Sequence, residues 1–568
     1  MLLQCANGGD AAAKVLIDLG VEVVFTLTGG HLNHIHRTLE KSQVRLVDVR
    51  HEQAATFMAD AYARMTGKPG VAMLTAGPGF TNCISPLQQA ATNCTPLLII
   101  AGASDTVYRD KIDLQDAPQQ AIAAPICKAT FVCTDTSRVA EYVEMAYRTT
   151  ITGRPGPVFL ELPCNVLGNA MPNGSCVYYK TTVDSHPVDL QGVAKTIELL
   201  QKASRPIVVV GSGGGYAKAE KALLSFVEKS GIPAFTANMG RGLISDLHPL
   251  GFGLAAANRP VTAKKAYAEA DVILILGHRI TLHDFFGGAY NPKGTLIQVD
   301  ICGEELGRNR RVDLPIISDV RGFLEAACNQ LDAMGLSGSI GARYQAWVET
   351  LRAEKQRCRE ELMPAMTSTD IPIHPQRLIY EVDQFMNRDD DVVVGDGGDT
   401  LTWLLMGRTV RRPYRIMDHG LFWCIGGGIA DVISARLIYP DSRVMLVTGD
   451  GSFGFNFMEV TTALRKGLAF VIVVANDSSW GMIRHSQKLR FGETIDSVTL
   501  LGATPYHKMV EAAGGKGFYV ERPEDIRPAL EAAFASGTVA CVNVQINPEI
   551  ISPGSIALGQ LGAYKITE

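Results

Sequence analysis

None of the 12 cysteines forms a C-x-x-C pair, so the chain encodes neither a cysteine zinc site nor a thioredoxin-like redox motif. Scattered cysteines of this kind read as free thiols in a reducing cytoplasm. There is no excess of positive charge: 53 basic residues stand against 58 acidic ones, a net of −5. That balance excludes a strong electrostatic footprint for nucleic acid or an anionic membrane. Long apolar runs are also missing. Stretches such as Pro96 to Gly102 and Val444 to Val447 fall far short of the ~20 residues that cross a bilayer. Met1 to Lys14 lacks a basic region followed by an apolar run, which predicts no signal peptide and a cytoplasmic protein.

What the chain does have is core-forming material and glycine. Of 568 residues, 46% are hydrophobic, 20% are charged and 56 are Gly, so a folded, turn-rich protein is expected rather than disorder. Short β-branched runs lead into Gly-rich turns and then amphipathic segments. Val21 to Leu27 runs into Thr28-Gly29-Gly30, and Gly70 to Leu74 into Thr75-Ala76-Gly77-Pro78-Gly79. Pro206 to Val210 runs into Gly211-Ser212-Gly213-Gly214-Gly215, and Asp391 to Val394 into Gly395-Asp396-Gly397-Gly398. Continuous apolar strands alternating with helices predict parallel sheets covered on both faces, an α/β architecture. Three such blocks account for the length. The polar stretch Val183 to Asp189 and the charged segment Arg352 to Glu361 mark the expected boundaries, giving domains over 1–175, 190–340 and 370–550 and a tail over 551–568.

The most specific feature lies in the third block. Gly449-Asp450-Gly451-Ser452 follows one apolar run, and Asn476-Asp477-Ser478 follows the next, with a crossover helix expected over Glu459 to Lys466. Strand–helix–strand geometry places both turns at the carboxyl ends of parallel strands, where α/β sheets bind ligands. Asp450 and the Asn476 side-chain oxygen can then share one hard cation, and Mg²⁺ suits such a donor set beside diphosphate oxygens. Gly449 and Gly451 let backbone N–H groups approach an anion, and the helix start after Ser452 favours negative charge.

These turns match the thiamin diphosphate motif, and with them the whole chain resembles the acetolactate synthase-like superfamily of thiamin diphosphate enzymes. The resemblance implies three doubly wound parallel-sheet domains: pyrimidine-binding, middle and diphosphate-binding. It implies a third metal ligand in the backbone carbonyl of Ser478, and further diphosphate contacts from Gly397, Gly398 and Asp399. Asp477 stands where the family commonly carries a second Asn; since the first Asn is the ligand, this departure is expected to be harmless. Arg50-His51-Glu52-Gln53-Ala54-Ala55 matches the segment that supplies the carboxylate activating the cofactor's aminopyrimidine, which makes Glu52 the activating acid. His419 to Gly427 matches the segment that bends the cofactor. Ile425 then wedges between its rings, Gly420 lies beside it, and the Trp423 carbonyl and Ile425 N–H bond the pyrimidine edge. Because the family shares each cofactor between two chains, a homodimer is the minimum and a homotetramer is implied.

Three short matches resemble the carbon–carbon lyases of the superfamily, benzaldehyde lyase and the 2-hydroxyacyl-CoA lyases. They are Thr28-Gly29-Gly30-His31, Leu114-Gln115-Asp116 and Ser479-Trp480-Gly481-Met482. His31 can relay a proton to a substrate hydroxyl, and Gln115 can hydrogen-bond the same oxygen. Trp480, Gly481 and Met482 form a pocket wall, where Met482 either narrows the site toward aliphatic groups or simply fills the core. In the family the middle domain holds FAD, ADP or nothing. Gly277-His278-Arg279, Val299-Asp300-Ile301 and Ser318-Asp319-Val320 occupy the nucleotide positions, although Arg–Asp pairs also brace loops. The expected activity is a thiamin diphosphate- and Mg²⁺-dependent lyase or carboligase acting on 2-hydroxy ketones or 2-hydroxyacyl-CoA thioesters through a carbanion. The alternative is an acetolactate synthase or 2-keto acid decarboxylase, and a non-catalytic binding protein is the rival from another class.

Overall fold

Three six-stranded sheets, every neighbouring pair parallel, carry the architecture of this computed structural model. The structure describes residues 1–109, 111–182, 187–257 and 261–560. The N-terminal sheet runs, edge to edge, Arg45–Asp48, Val23–Leu27, Gly70–Leu74, Leu97–Ala103, Val158–Pro163 and Ala129–Val132. The C-terminal sheet repeats that winding with Ile416–Met417, Val392–Gly395, Val444–Gly449, Val471–Asn476, Ala540–Gln545 and Lys516–Val520. In both, the first strand in sequence lies between the second and the third. The middle sheet is wound differently: Gly251–Leu254, Ala234–Thr236, Pro206–Val210, Val272–Leu276, Thr295–Asp300 and Leu314–Ile317. There, consecutive strands spread outward from Pro206–Val210, first to one side and then to the other.

The strands form where β-branched and aliphatic residues run without interruption. Val272–Leu276 and Pro206–Val210 are buried at every position, as parallel strands covered on both faces must be. Their cores are contiguous: Val208, Val210, Leu274, Leu276, Ile297 and Phe323 pack in one cluster of the middle region. Val393, Met445, Val447, Val473 and Val542 do the same in the C-terminal sheet. All 12 cysteines are free, and among the described residues no helix is long and apolar enough to cross a membrane.

By contacts the chain forms two compact units. One comprises residues 1–184, 419–440 and 455–468, and the other 185–418, 441–454 and 469–568. The first unit therefore recruits two pieces from late in the sequence. Within it Gly428–Ile438 lies along Glu52–Thr66, where Ser434 Oγ donates to the Met58 carbonyl at 2.7 Å. The charged segment expected as a linker is part of one long helix, Gln345–Met366. Part of the polar stretch expected at the first boundary, and the end of the tail, lie outside the described residues.

Candidate active site

In the first unit two turns meet at the carboxyl end of the N-terminal sheet, where the winding reverses and a crevice opens. They are Thr28–His31 after the first strand and Thr75–Gly79 after the third. The fit demands glycine: a Cβ on Gly29 would lie 2.2 Å from Thr75 Oγ1, and one on Gly102 would lie 2.3 Å from His31 Cβ. The His31 ring is thereby seated with Nδ1 2.9 Å from Thr75 Oγ1. Burial lowers the His31 pKa, with the carboxylates of Asp113 and Asp105 pulling the other way. Gly79 ties this corner to Glu52, since its Cβ position is 2.7 Å from Thr75 Cγ2 and 3.7 Å from Glu52 Oε1. Glu52 opens the helix Glu52–Thr66 and is only 9% exposed. Its Oε2 accepts from Asn82 Nδ2 at 3.0 Å, so Oε1 is the oxygen turned toward Gly79. Gln115 joins the same end of the sheet through left-handed backbone at φ +60°. Its carbonyl lies where a Cβ on Gly77 would come within 2.5 Å.

Several residues that support this corner were not singled out by sequence reasoning. Gln119 accepts from Gly77 N at 3.0 Å and donates to the Gly102 carbonyl at 2.9 Å and to Glu161 at 3.1 Å. It thus ties three strand ends together. Glu161, buried and with its pKa raised by that burial, also takes Arg109 at 2.9 Å. With Gln115 and Asp116 these groups line a small cleft. A lone acid inside the apolar strand Val158–Pro163 was the available signal. Glu459 had none: its Oε1 accepts from Arg50 N at 2.8 Å and His51 N at 3.1 Å, holding the backbone just ahead of Glu52.

The segment expected to bend the cofactor also lies in the first unit. Gly420 (φ +69°) fits against Asn93, whose Nδ2 donates to the His419 carbonyl at 3.0 Å. Trp423 adopts left-handed backbone at φ +53°, and Ile425 is half-buried beside Gly426, which packs against Phe455.

In the second unit the C-terminal sheet gathers the expected cation and diphosphate residues at its carboxyl end. A Cβ on Gly397 (φ +102°) would lie 3.2 Å from Gly449 N and 3.3 Å from Ser452 Oγ. One on Gly451 would lie 2.5 Å from the Trp480 ring, and one on Gly398 2.8 Å from Met482 Sδ. Side chains at these glycines would fill the cradle that a diphosphate needs. Asp450 is 3% and Asn476 2% exposed. Burial, and then the facing Asp477 carboxylate, push the Asp450 pKa well above the usual range. Asn476 Nδ2 donates to Asn543 Oδ1 at 3.0 Å, while its Oδ1 accepts from Ser478 N at 3.0 Å. Ser478 has φ +59°, and its carbonyl accepts from Leu501 N at 2.8 Å, which leaves one lone pair for a ligand. This all-oxygen set fits a hard divalent cation. The Asp399 carboxylate is already occupied: it meets His485 Nδ1 at 2.6 Å, Ser552 Oγ at 2.6 Å and Ser555 Oγ at 2.5 Å. Only its backbone remains for a diphosphate contact. Although burial opposes the charge, this carboxylate raises the His485 pKa.

The middle region does not offer a phosphate cradle at its glycine turn. The amides of Gly211, Gly213 and Gly214 bond to Leu276, Gly277 and Gly211 carbonyls. A Cβ on Gly211 or Gly213 would strike the backbone of His278 or Gly277 at 2.6 and 2.7 Å. Asp300 accepts from Cys302 N, Asp319 caps the helix Val320–Ala333, and His278 is bonded to buried Asp284.

Family models match the chain in three consecutive parts. These are the thiamine pyrophosphate enzyme N-terminal TPP binding domain over residues 6–124, the central domain over 193–327 and the C-terminal TPP binding domain over 396–544. The chain belongs to the thiamine pyrophosphate enzymes, and it is a thiamin diphosphate-dependent enzyme of the lyase and transferase type. Among curated proteins it is 32% identical to a probable acetolactate synthase of Mycobacterium bovis, over 97% of both chains. It is 30% identical to a 2-hydroxyacyl-CoA lyase of Oryza sativa subsp. japonica, over 95% of this chain and 96% of that one. It is also 28% identical to the 2-hydroxyacyl-CoA lyase 1 of Mus musculus, over 96% and 95%.

Proposed function

We propose that the protein is a Mg²⁺-dependent carbon–carbon lyase or carboligase acting on 2-hydroxy ketones or 2-hydroxyacyl-CoA thioesters. The observation that carries this reading is the N-terminal corner, where a half-buried imidazole and a buried carboxylate share the Thr75–Gly79 turn. Thiamin diphosphate, when bound, supplies the nucleophilic carbon. Glu52 holds and shares a proton at Oε1, with Asn82 fixing the other oxygen and burial limiting exchange with water. His31, its Nδ1 engaged by Thr75, keeps Nε2 to take a proton from a substrate hydroxyl or return it. Its lowered pKa keeps the ring neutral, the form a general base requires. Gln115 offers an amide to the same oxygen.

Asp450, Asn476 and Ser478 would hold Mg²⁺. Gly397, Gly398, Gly449, Gly451 and Ser452 would admit the diphosphate by leaving their backbone uncovered. A homodimer is the minimum catalytic unit of this proposal, each cofactor taking its activating carboxylate from one chain and its diphosphate anchor from another. No nucleotide is assigned to the middle region, where the amides of Gly211, Gly213 and Gly214 are already bonded. The second reading, synthesis of acetolactate from pyruvate, is favoured by the identity to the mycobacterial relative named as a probable acetolactate synthase.

The test is a mass-spectrometric screen with added thiamin diphosphate and Mg²⁺. Cleavage of a 2-hydroxy ketone or 2-hydroxyacyl-CoA supports the lyase. Rapid CO₂ release and acetolactate formation from pyruvate alone would overturn it in favour of the synthase.

A further inference from the structure

We propose that Gln119 is a positioning residue for the cleavage reaction, its single buried amide setting where both His31 and Gln115 stand. This deepens the reading above and rests on it, because those two groups are taken to act on one substrate oxygen. Pairing between Gly70–Leu74 and Leu97–Ala103 ends at Leu74 and Ala101, just short of the crevice. Beyond that point the ladder no longer joins the two strands, and the Gln119 side chain takes its place. Its Oε1 accepts from Gly77 N at 3.0 Å, and its Nε2 donates to the Gly102 carbonyl at 2.9 Å. A backbone N–H only donates and a carbonyl only accepts, so these partners fix which end of the amide faces which strand. The Nε2 also donates to Glu161 Oε2 at 3.1 Å, and Glu161 Oε1 is held by Arg109 at 2.9 Å. At 2% exposure Gln119 has little access to water that could replace these partners.

The two glycines that Gln119 holds are the two on which the proton-handling groups rest. A Cβ on Gly102 would lie 2.3 Å from His31 Cβ. One on Gly77 would lie 2.5 Å from the Gln115 carbonyl oxygen and 3.1 Å from Gln115 Cβ. Gly77 has φ +56° and ψ −109°, a conformation that favours glycine, so the turn has no side chain of its own to anchor it there. A shift of either glycine moves the group seated on it, and a misplacement of about 1 Å costs about 10²-fold in rate. Gln119 acts on the reaction through these two seats.

The experiment compares full-length Gln119→Met, which keeps the side chain's length but loses the amide, with His31→Gln and the parent. Gln119→Asn, one methylene shorter and able to reach only one of the two glycines, serves should thermal melts show that Gln119→Met does not fold. The His31 ring is observed first by NMR, in cofactor-free protein carrying ¹³C-labelled histidine, its signal identified by its loss in His31→Gln. Turnover is then measured with thiamin diphosphate and Mg²⁺ on acetoin, a 2-hydroxy ketone, or on the 2-hydroxy carbonyl compound that the screen returns. Mn²⁺ affinity at fixed thiamin diphosphate, read by electron paramagnetic resonance, reports on the C-terminal corner. The expected result is a displaced His31 signal and a kcat lower by about 10²-fold with KM little changed, at parent-like Mn²⁺ affinity. A parent-like His31 signal or a parent-like kcat in a folded Gln119 variant, with turnover lost in His31→Gln, overturns the role of Gln119 and leaves the lyase reading standing. Loss of Mn²⁺ binding alongside the lower kcat marks general loosening and overturns that role as well. Parent-like turnover in His31→Gln overturns both.

Discussion

The N-terminal and C-terminal sheets share one winding order but place different chemistry at equivalent positions. In each, the turn after the first strand faces the turn after the third: Thr28–His31 meets Thr75–Gly79, and Gly397–Asp399 meets Gly449–Ser452. Each contact favours glycine: at Gly29 the facing turn stands where a Cβ would go, and at Gly397 the backbone sits at φ +102° with the Gly449 amide 3.2 Å from a Cβ position. The lining then diverges. The N-terminal corner holds an imidazole and a carboxylate, groups that move protons; the C-terminal corner holds carboxylates, an amide and a carbonyl, groups that hold a cation. The middle sheet makes the contrast sharper. Its equivalent crevice lies between Pro206–Val210 and Val272–Leu276, and it is closed by glycine turns bonded to each other. Winding order opens a crevice, but the residues at its lip decide whether a ligand or another turn fills it.

If the two corners divide the labour in this way, they can be broken separately. Glu52→Gln should have the largest effect, lowering turnover by about 10²–10⁴-fold while leaving Mn²⁺ binding unchanged. Loss of Mn²⁺ together with retained turnover would reverse the assignment. His31→Gln should cost about 10²-fold in the cleavage step. Because burial disfavours the imidazolium, the acid limb of the pH–rate profile due to His31 should lie below 6.5 and vanish in the variant, and the imidazole NMR titration should move the same way. A limb above 6.5 would contradict the buried placement. Gly451→Ala forces a Cβ against the Trp480 ring, an overpacking of about 1–3 kcal/mol. It should weaken thiamin diphosphate binding by calorimetry without shifting the His31 titration. Glu459→Ala should have the smallest effect, about 1–3 kcal/mol of stability by denaturant unfolding, because the Arg50 and His51 amides lose their acceptor.

Much of the site was legible because local sequence carries its chemistry. An acid directly after a strand and at the first position of a helix could be read at Glu52, and Gly-Asp-Gly with a following Asn turn could be read at Asp450 and Asn476. The supports were not legible. Glu459 lies 409 residues from Arg50 in sequence, and nothing in its own helix marks it as the acceptor for that backbone. The prior commitment of the Asp399 carboxylate to His485, Ser552 and Ser555 was equally hidden.

By itself, the order of residues determined the alternation of buried strand and glycine turn, and which donor types stand at each strand end. Both are set by neighbours within a few positions, through backbone conformational freedom and burial on two faces. Tertiary structure alone decided which glycine turns stay open. Gly211–Gly215 and Gly397–Gly398 look alike along the chain. One turn has its Gly211 and Gly213 amides taken by carbonyls at the end of a strand some sixty residues on, whereas the other stands beside Gly449 and Ser452, with donor oxygens gathered around it. A glycine carries no side chain to record its partner, so that choice is made only when distant strands come side by side.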